Sequence, residues 1–227
     1  MSRIVDLSLP IFTGLPVVPG TGREVRVDRT MTFDSPYRRN TSSLQFHSHM
    51  CSTHIDAPLH AIEDGHGIDG YSLDGQLIGE AHVLDLRHLE PGGRMSVADL
   101  EAAEEAAGPI PAGSMVCLAT CWTDRAWGDD VFFERMISME APSTGDWLAA
   151  RKPKAILFDC YNDWWEGFMT GDSFHNHKSW LGNGIPMIEF CCGLDKLIAG
   201  RWEIIALPLR IRDCDGSPAR VVAREIP

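Results

Sequence analysis

Histidine and acidic residues are concentrated in one short stretch of the chain. Five of the nine histidines lie between residues 47 and 66, and in the densest part His54, Asp56, Pro58 and His60 follow at a spacing of two. In an extended segment these side chains share one face. Imidazole nitrogens and carboxylate oxygens suit Zn²⁺, Mn²⁺ or Fe²⁺. We therefore predict a divalent metal site, with Pro58 ending the strand and His60 projecting into open space.

The same residues also have an explanation without a metal. They could form a solvated strand edge that happens to be rich in histidine, or their imidazoles could bond to neighbouring backbone carbonyls. Mixed nitrogen and oxygen donors, matched parity and the following proline favour the metal site over this alternative. A site of three ligands with open positions is typical of catalysis, since structural zinc sites fill all four positions.

These residues resemble the cyclase family, which includes bacterial kynurenine formamidases and isatin hydrolases. The family motif is H-x-G-T-H-x-D-x-P-x-H, and the chain matches it at Thr53, His54, Asp56, Pro58 and His60. The resemblance implies an α/β fold, a single compact domain with a mixed β-sheet or barrel-like β core flanked by helices. It also implies a metal-dependent hydrolase with one or two divalent ions per chain, Zn²⁺ or Mn²⁺.

Two further stretches carry the resemblance along the chain. The opening residues look like the family's DLS, GxP and PG sequences, at 6–8, 14–16 and 19–20. His177, followed twelve residues later by Glu189, resembles the second metal-binding stretch. Without the resemblance, Glu189 would be interpreted as a strand-end carboxylate and His177 as a residue on a helix surface. With it, both are predicted metal ligands, and Glu189 and Asp56 could share ions.

The chain departs from the motif at its first histidine and at its glycine. Met50 occupies the position of that histidine, and thioether sulfur is a weak ligand for such ions. His49 lies one residue earlier, with the wrong parity for a regular strand, but a bulge around Cys51-Ser52 would turn it inward. We therefore predict His49 as the remaining ligand, with Met50 as the alternative. Ser52 stands where the family has glycine.

Three functions are compatible with this set of residues. The first is hydrolysis of an amide, cyclic amide, imide or lactone by metal-activated water, with His60 as the catalytic proton shuttle. The resemblance implies a small aromatic or cyclic substrate. The second is polyketide-type ring closure at the same metal site. The third is a metal- or ligand-binding protein without catalysis. No dinucleotide or P-loop motif points to a nucleotide cofactor.

Aromatic and other reactive residues are weaker candidates. Tyr161, Trp164, Trp165 and Phe168 form an aromatic cluster that more often belongs to a core or subunit interface than to a pocket. Phe12, Phe46 and Trp180 are further candidates for a pocket wall. Cys51 adjoins the predicted ligands but has no identifiable base, so we expect a buried thiol. Asp159 ends a predicted strand but is not a favoured site residue.

The elements that position these residues alternate between strand and helix. Strands are predicted at Ile4–Leu9, Ala81–Leu86, Ser114–Ala119, Ala155–Asp159, Ile185–Phe190, Ile204–Ile211 and Arg220–Ile226. Helices are predicted at Val97–Ala107 after a Ser96 cap, at Thr144–Arg151 after a Ser143 cap, at His175–Gly182 and at Gly193–Ala199. Residues 1–50 are rich in Pro and Gly, which predicts an extended, turn-rich opening segment.

Bulk composition excludes several classes of partner. We predict a single domain spanning 1–227, since 227 residues with 44% hydrophobic content can bury one core. A formal charge of −12 disfavours nucleic acid and anionic lipid, and no stretch approaches the ~20 apolar residues of a membrane span. Seven cysteines without a CxxC pair favour a cytoplasmic location. The resemblance implies a homodimer or homotetramer.

Overall fold

Seven strands close into a barrel at the centre of the computed structural model, which describes residues 2–18, 21–22, 24–164 and 174–227. The barrel strands are β4 (His54–Asp56), β5 (Ile78–Asp85), β7 (Met115–Ala119), β9 (Ala155–Phe158), β10 (Met187–Glu189), β11 (Arg201–Pro208) and β12 (Gly216–Ile226). Their order around the barrel is β12-β11-β5-β7-β9-β10-β4, and β4 pairs again with β12. β5, β7, β9 and β10 run parallel, and the other pairs are antiparallel. The predicted α/β fold with a mixed, barrel-like core is confirmed.

Five further strands lie outside the barrel in the described part of the chain. β1 (Ile4–Asp6) pairs with β12, and β6 (Arg94–Met95) pairs with β8 (Ser138–Met139). β2 (Arg26–Met31) and β3 (Thr41–Gln45) form a separate antiparallel hairpin. Besides the first strand, which is predicted, the opening segment thus contains two strands where the sequence predicts extended chain and turns. Nearly all side chains of the hairpin are exposed, so its residues lack the alternation that identifies a strand.

β12 closes the barrel because different parts of it pair with different strands. Ala219–Ile226 pair with β11, whereas Gly216–Pro218 pair with β4. β1 pairs with 222–224. The last strand therefore joins both ends of the sheet, and it brings the residue before Gly216 to the end of β4.

Side-chain parity divides the core into an inner and an outer cluster. β7 and β9 are buried along their whole length, as expected for parallel strands covered on both faces. The inner cluster includes Ile55, Cys117, Leu157, Ile188 and Ala206. Residues of opposite parity on β7 and β9 pack in the outer cluster, together with residues of the helices. The face of β4 and β10 opposite to Ile55 and Ile188 is the one that carries the polar cluster described below.

Five helices flank the barrel in the described residues. They are α1 (Val97–Ala107), α2 (Trp122–Ala126), α3 (Val131–Glu134), α4 (Ser143–Ala150) and α5 (His175–Gly182). α1 begins at the predicted Ser96 cap, which forms a capping box in which Ser96 and Asp99 bond to each other's backbone N–H groups. α5 has its predicted bounds. None of the helices in this part of the chain is long and apolar enough to span a membrane.

Two helix predictions are wrong in detail. Ser143 does not cap α4: its hydroxyl donates to the Glu140 carbonyl, and the capping position is Pro142. The helix predicted at Gly193–Ala199 is only a short 3₁₀ turn, Leu194–Leu197.

The observed strand bounds differ from the predicted ones where backbone pairing does not coincide with an apolar run. β11 begins at Arg201 and ends at Pro208, and β12 begins at Gly216, four residues before its prediction. β5 begins at Ile78, whereas β1 and β10 are shorter than predicted. Sheet hydrogen bonds continue into segments without an apolar run, and such segments are invisible to a search for apolar runs.

Candidate metal centre

Pairing between β4 and β10 brings the first polar side chains together. His54 lies directly opposite Glu189 in the antiparallel register, and directly opposed residues project from the same face of a sheet. His54 Nε2 is 3.3 Å from Asp56 Oδ1 and 3.7 Å from Glu189 Oε2. The three side chains are almost fully buried. One strand pair therefore supplies an imidazole and two carboxylates at a single point.

His60 joins this cluster through a turn of 3₁₀ helix. β4 ends at Asp56, and Pro58–His60 form that turn. His54 and Asp56 therefore share the strand, and Pro58 starts a helical turn directly beyond its end, in agreement with the prediction that the strand ends at this proline. His60 Nε2 lies 4.0 Å from Asp56 Oδ2, and its side chain is 15% exposed, against 2% for His54. His60 is therefore the more accessible of the two imidazoles.

His177 reaches the cluster from the first turn of α5. Its Nδ1 lies 2.6 Å from the buried carboxylate of Asp163, which accepts the hydrogen bond. This bond places the ring proton on Nδ1 and leaves the Nε2 lone pair free to bind. Nε2 is 3.6 Å from Glu189 Oε1 and 3.9 Å from Asp56 Oδ2. His54 is held in the same way, since its Nδ1 bonds to the Ser52 carbonyl at 2.8 Å.

His49, and not Met50, points into the cluster. His49 Nδ1 lies 2.8 Å from Asp56 Oδ1, and Nε2 lies 2.8 Å from Asp215 Oδ2. Met50 is fully buried among apolar side chains, including Leu15 and Val18. The expected β-bulge is not the cause: β4 starts only at His54, and before it residues 48–49 form a turn and residues 51–53 a bend. Parity on a strand therefore does not apply to position 49.

Burial and charge set the protonation of the metal-free cluster. Burial, reinforced by the charge of Asp56, raises the pKa of Glu189 to about 8. Burial also disfavours the charged form of His49, but Asp56 and Asp215 outweigh it and raise its pKa to about 10. For His60, burial together with the positive charge of His49 lowers the pKa to about 4, although Asp56 opposes them. His60 is thus a neutral imidazole at pH 7.

Two carboxylate oxygens in the cluster have no hydrogen-bond partner. Asp56 Oδ2 and Glu189 Oε1 are buried and unsatisfied, and an isolated buried carboxylate is costly unless a cation compensates it. Asp56 belongs to two groups of potential ligands, one with His49 and His54 and the other with His60 and His177. Mixed imidazole and carboxylate donors with unsatisfied oxygens fit a divalent cation.

A cavity of about 50 Å³ opens onto these side chains. Its remaining walls include Val18, Cys51, Tyr161, Phe174 and Phe190. The Phe190 ring lies 5.8 Å from that of His54. Phe190 has a φ of 51°, which costs a bulky residue about 1–3 kcal/mol. Strain of this kind is concentrated where the fold fixes a side chain beside a site.

The aromatic cluster predicted from sequence divides in the structure. Tyr161 lines the site cavity, whereas Trp164 lies outside that lining and its ring stacks with the Arg94 guanidinium at 4.9 Å. Trp165 and Phe168 lie outside the described residues. The other aromatic candidates for a pocket wall, Phe12, Phe46 and Trp180, do not line the cavity.

Asp159 lies apart from the cluster. Its carboxylate accepts hydrogen bonds from Thr120 and from the Cys121 N–H.

Sequence reasoning misses two acidic residues that touch the predicted ligands. Asp163 bonds to His177, and Asp215 bonds to His49. Asp163 lies fourteen residues before its partner and Asp215 lies 166 residues after its own. No spacing rule connects such pairs, and only strand register or helix placement brings them together.

Comparison with known proteins agrees with the geometry. The family described as "Putative cyclase" matches residues 5–162. The chain is 32% identical to a kynurenine formamidase of Erythrobacter litoralis, over 99% of this chain and 95% of that one. It is 30% identical to the same enzyme of Bordetella petrii over the full length of both. Isatin hydrolase A from Ralstonia solanacearum superposes with a TM-score of 0.83 at 22% identity, covering 99% of this chain and 92% of that one. The chain therefore belongs to the cyclase family.

Proposed function

We propose that this chain is a formamidase-like amide hydrolase that acts on a small aromatic or cyclic substrate. The observation that carries the proposal is the pair of buried, unpartnered oxygens, Asp56 Oδ2 and Glu189 Oε1, surrounded by histidine nitrogens. Two full-length relatives at 30% and 32% identity are named for amide hydrolysis. Hydrolysis is accordingly favoured over the alternative of ring closure at the same site.

Some residues around the cavity would bind metal ions, and another would transfer a proton. His49, His54, Asp56, His177 and Glu189 would hold one or two ions, Zn²⁺ or Mn²⁺. Such an ion lowers the pKa of a water molecule and polarises an amide carbonyl.

His60 would act as the proton carrier. Its imidazole is neutral at pH 7 because its pKa is lowered to about 4, and it is the most exposed histidine of the cluster. It would take a proton from the attacking water and return it to the leaving nitrogen. The C–N bond breaks, a C–O bond forms, and the products are a carboxylic acid and an amine.

Aromatic walls would select the substrate. Phe174 and Phe190 are among the walls of the cavity. An aromatic ring of the substrate would lie against them, since aromatic rings favour stacked or edge-to-face contact. The relatives named for kynurenine and isatin agree with such a substrate.

The test is hydrolysis of a formylated aromatic amine and of a cyclic aromatic amide by metal-loaded protein. Formate release or ring opening, each absent from the Asp56→Ala variant, is the expected result. Protein with a measured equivalent of metal that hydrolyses neither compound, but closes a ring in a linear substrate, would replace this proposal with the cyclase alternative.

We also propose that the chain forms a homodimer or homotetramer in a reducing, cytoplasmic environment. Leu44 and Leu209 are more than half exposed, and with Val27 and Leu207 they line a surface groove beside the β2–β3 hairpin. A two-stranded hairpin is marginal in isolation, so a second copy packed on it would stabilise it. Buried thiols such as Cys117 and Cys160 suit a reducing compartment. A Leu44→Asp variant should sediment as a monomer.

A further inference from the structure

Asp215 contacts the His49 ring at the nitrogen opposite to the one that faces Asp56. Its Oδ2 lies 2.8 Å from His49 Nε2. A carboxylate only accepts hydrogen bonds, so this contact places a proton on Nε2. Nδ1, 2.8 Å from Asp56 Oδ1, is then the nitrogen that faces the cluster. Carboxylates that orient histidine ligands in this way are a general feature of metal sites.

Asp215 is itself fixed in place from several directions. Its backbone carbonyl accepts from the Ala57 N–H at 2.9 Å, just after the end of β4. Its Oδ1 accepts from the Ser48 hydroxyl at 2.9 Å and from the Cys214 thiol at 3.5 Å. The carboxylate is therefore tied to the ligand strand and to the residue before His49.

Gly216 provides the space that the His49 ring needs. A Cβ at position 216 would lie 2.8 Å from His49 Cε1, 3.2 Å from Nε2 and 2.9 Å from the Ile55 carbonyl. Contacts below 3.0 Å do not occur for real Cβ atoms. A residue with any side chain at this position would push the imidazole away from Asp215. Asp215 and Gly216 therefore act together, one orienting the ring and the other admitting it.

We propose that Asp215 is a positioning residue that presents His49 as an Nδ1 metal ligand, in place of the histidine that the family motif has at position 50. The proposal rests on the metal-dependent function proposed above. It explains how a chain with a buried methionine at that position keeps its nitrogen donor. Nδ1 and Asp56 Oδ1 lie so close that they must share a proton or a cation, and the bound ion would take the place of the proton.

Zinc affinity in matched variants tests the proposal. Asp215→Asn keeps the size of the side chain but removes its charge and allows the amide to donate to Nε2. Its dissociation constant for Zn²⁺, measured against a competing chelator, should rise about 10- to 100-fold, as is typical when a ligating histidine loses the carboxylate that orients it. Asp213→Asn makes the same charge change two residues away on an exposed side chain and should leave the constant unchanged. Ser48→Ala should give a smaller rise, because it removes one anchor of Asp215.

Nitrogen-15 histidine spectra of the zinc-loaded wild-type protein supply a readout that a general loss of stability would not change. His49, assigned by its absence from His49→Gln, should carry one proton, on Nε2, with Nδ1 shifted by the metal. Protons on both nitrogens would make His49 an ion-pair partner and overturn the proposal. So would Asp215→Asn with unchanged affinity, or with loss of a whole equivalent of zinc, which would make Asp215 a ligand. Wild-type protein that binds no metal would defeat the proposed function as well.

Discussion

Replacement of Met50 by leucine should leave the metal centre intact. The Met50 side chain is fully buried and packs with Leu15, Val18, Val25 and Cys51. Because Leu and Met are similar in volume, the change should lower the free energy of unfolding by less than about 1.5 kcal/mol. Met50→Ala leaves a cavity in the same cluster and should cost about 2–5 kcal/mol. Both variants should bind Zn²⁺ with the wild-type affinity, since the predicted ligand is the neighbouring His49.

His49→Ala should have the opposite pattern. It removes the nitrogen 2.8 Å from Asp56 Oδ1 and leaves the apolar cluster around Met50 complete. Zinc affinity should fall by more than the 10- to 100-fold that is typical when a ligating side chain loses its hydrogen-bond partner. Stability of the metal-free protein should also fall, because the buried Asp56 carboxylate loses its closest partner.

Urea unfolding of metal-free protein, with zinc titration of the same samples, separates the two effects. Met136→Leu is a matched control, because Met136 is 3% exposed in a different core cluster. If Met50→Leu lost zinc while its stability matched that of Met136→Leu, sulfur would be a ligand and the assignment of His49 would be wrong.

Three further results are expected. His60→Ala should abolish turnover but retain metal, as measured by formate release and metal analysis; loss of metal would make His60 a ligand. Asp56→Ala should lose metal, because Asp56 belongs to both groups of potential ligands; retention of a full equivalent would contradict its place at the centre. The pKa values of Glu189 and His49 in the metal-free fold, about 8 and about 10, exceed the ordinary values of 4.5 and 6.5. Stability from these groups is complete below the ordinary values and is lost as pH rises through the folded ones, so the melting temperature of metal-free protein should fall between pH 6 and 9. Added Zn²⁺ should raise it more at pH 8 than at pH 6, since zinc displaces these protons; an equal rise at both would refute the assigned protonation.

The sequence predicts those strands and helices whose own residues carry a recognisable pattern. The apolar runs of β7 and β9 predict strands, and Ser96 predicts the start of α1. The hairpin of β2 and β3 has no such signal, because its side chains are exposed on both faces. The two strands pair through their backbones, and no alternation of buried side chains marks them in the sequence.

Site residues that lie close together in the sequence can be predicted from it, whereas site residues that long-range pairing brings together cannot. His54, Asp56 and His60 can be found from spacing because one short segment carries them. His49 requires a turn that breaks strand parity. Asp215 requires the register in which Gly216 pairs with Asp56, and no periodicity in the sequence encodes that register.

The double pairing of β12 has a consequence for the order of folding. Residues 216–218 meet β4 and residues 222–224 meet β1, so these contacts join segments about 160 and 220 positions apart in the chain. Contacts of such long range form slowly. Asp215 reaches His49 only after this strand is in place, so a partly folded chain lacks an oriented His49. Metal would therefore capture the finished barrel instead of nucleating it, and its uptake during refolding would report the final closure of the sheet.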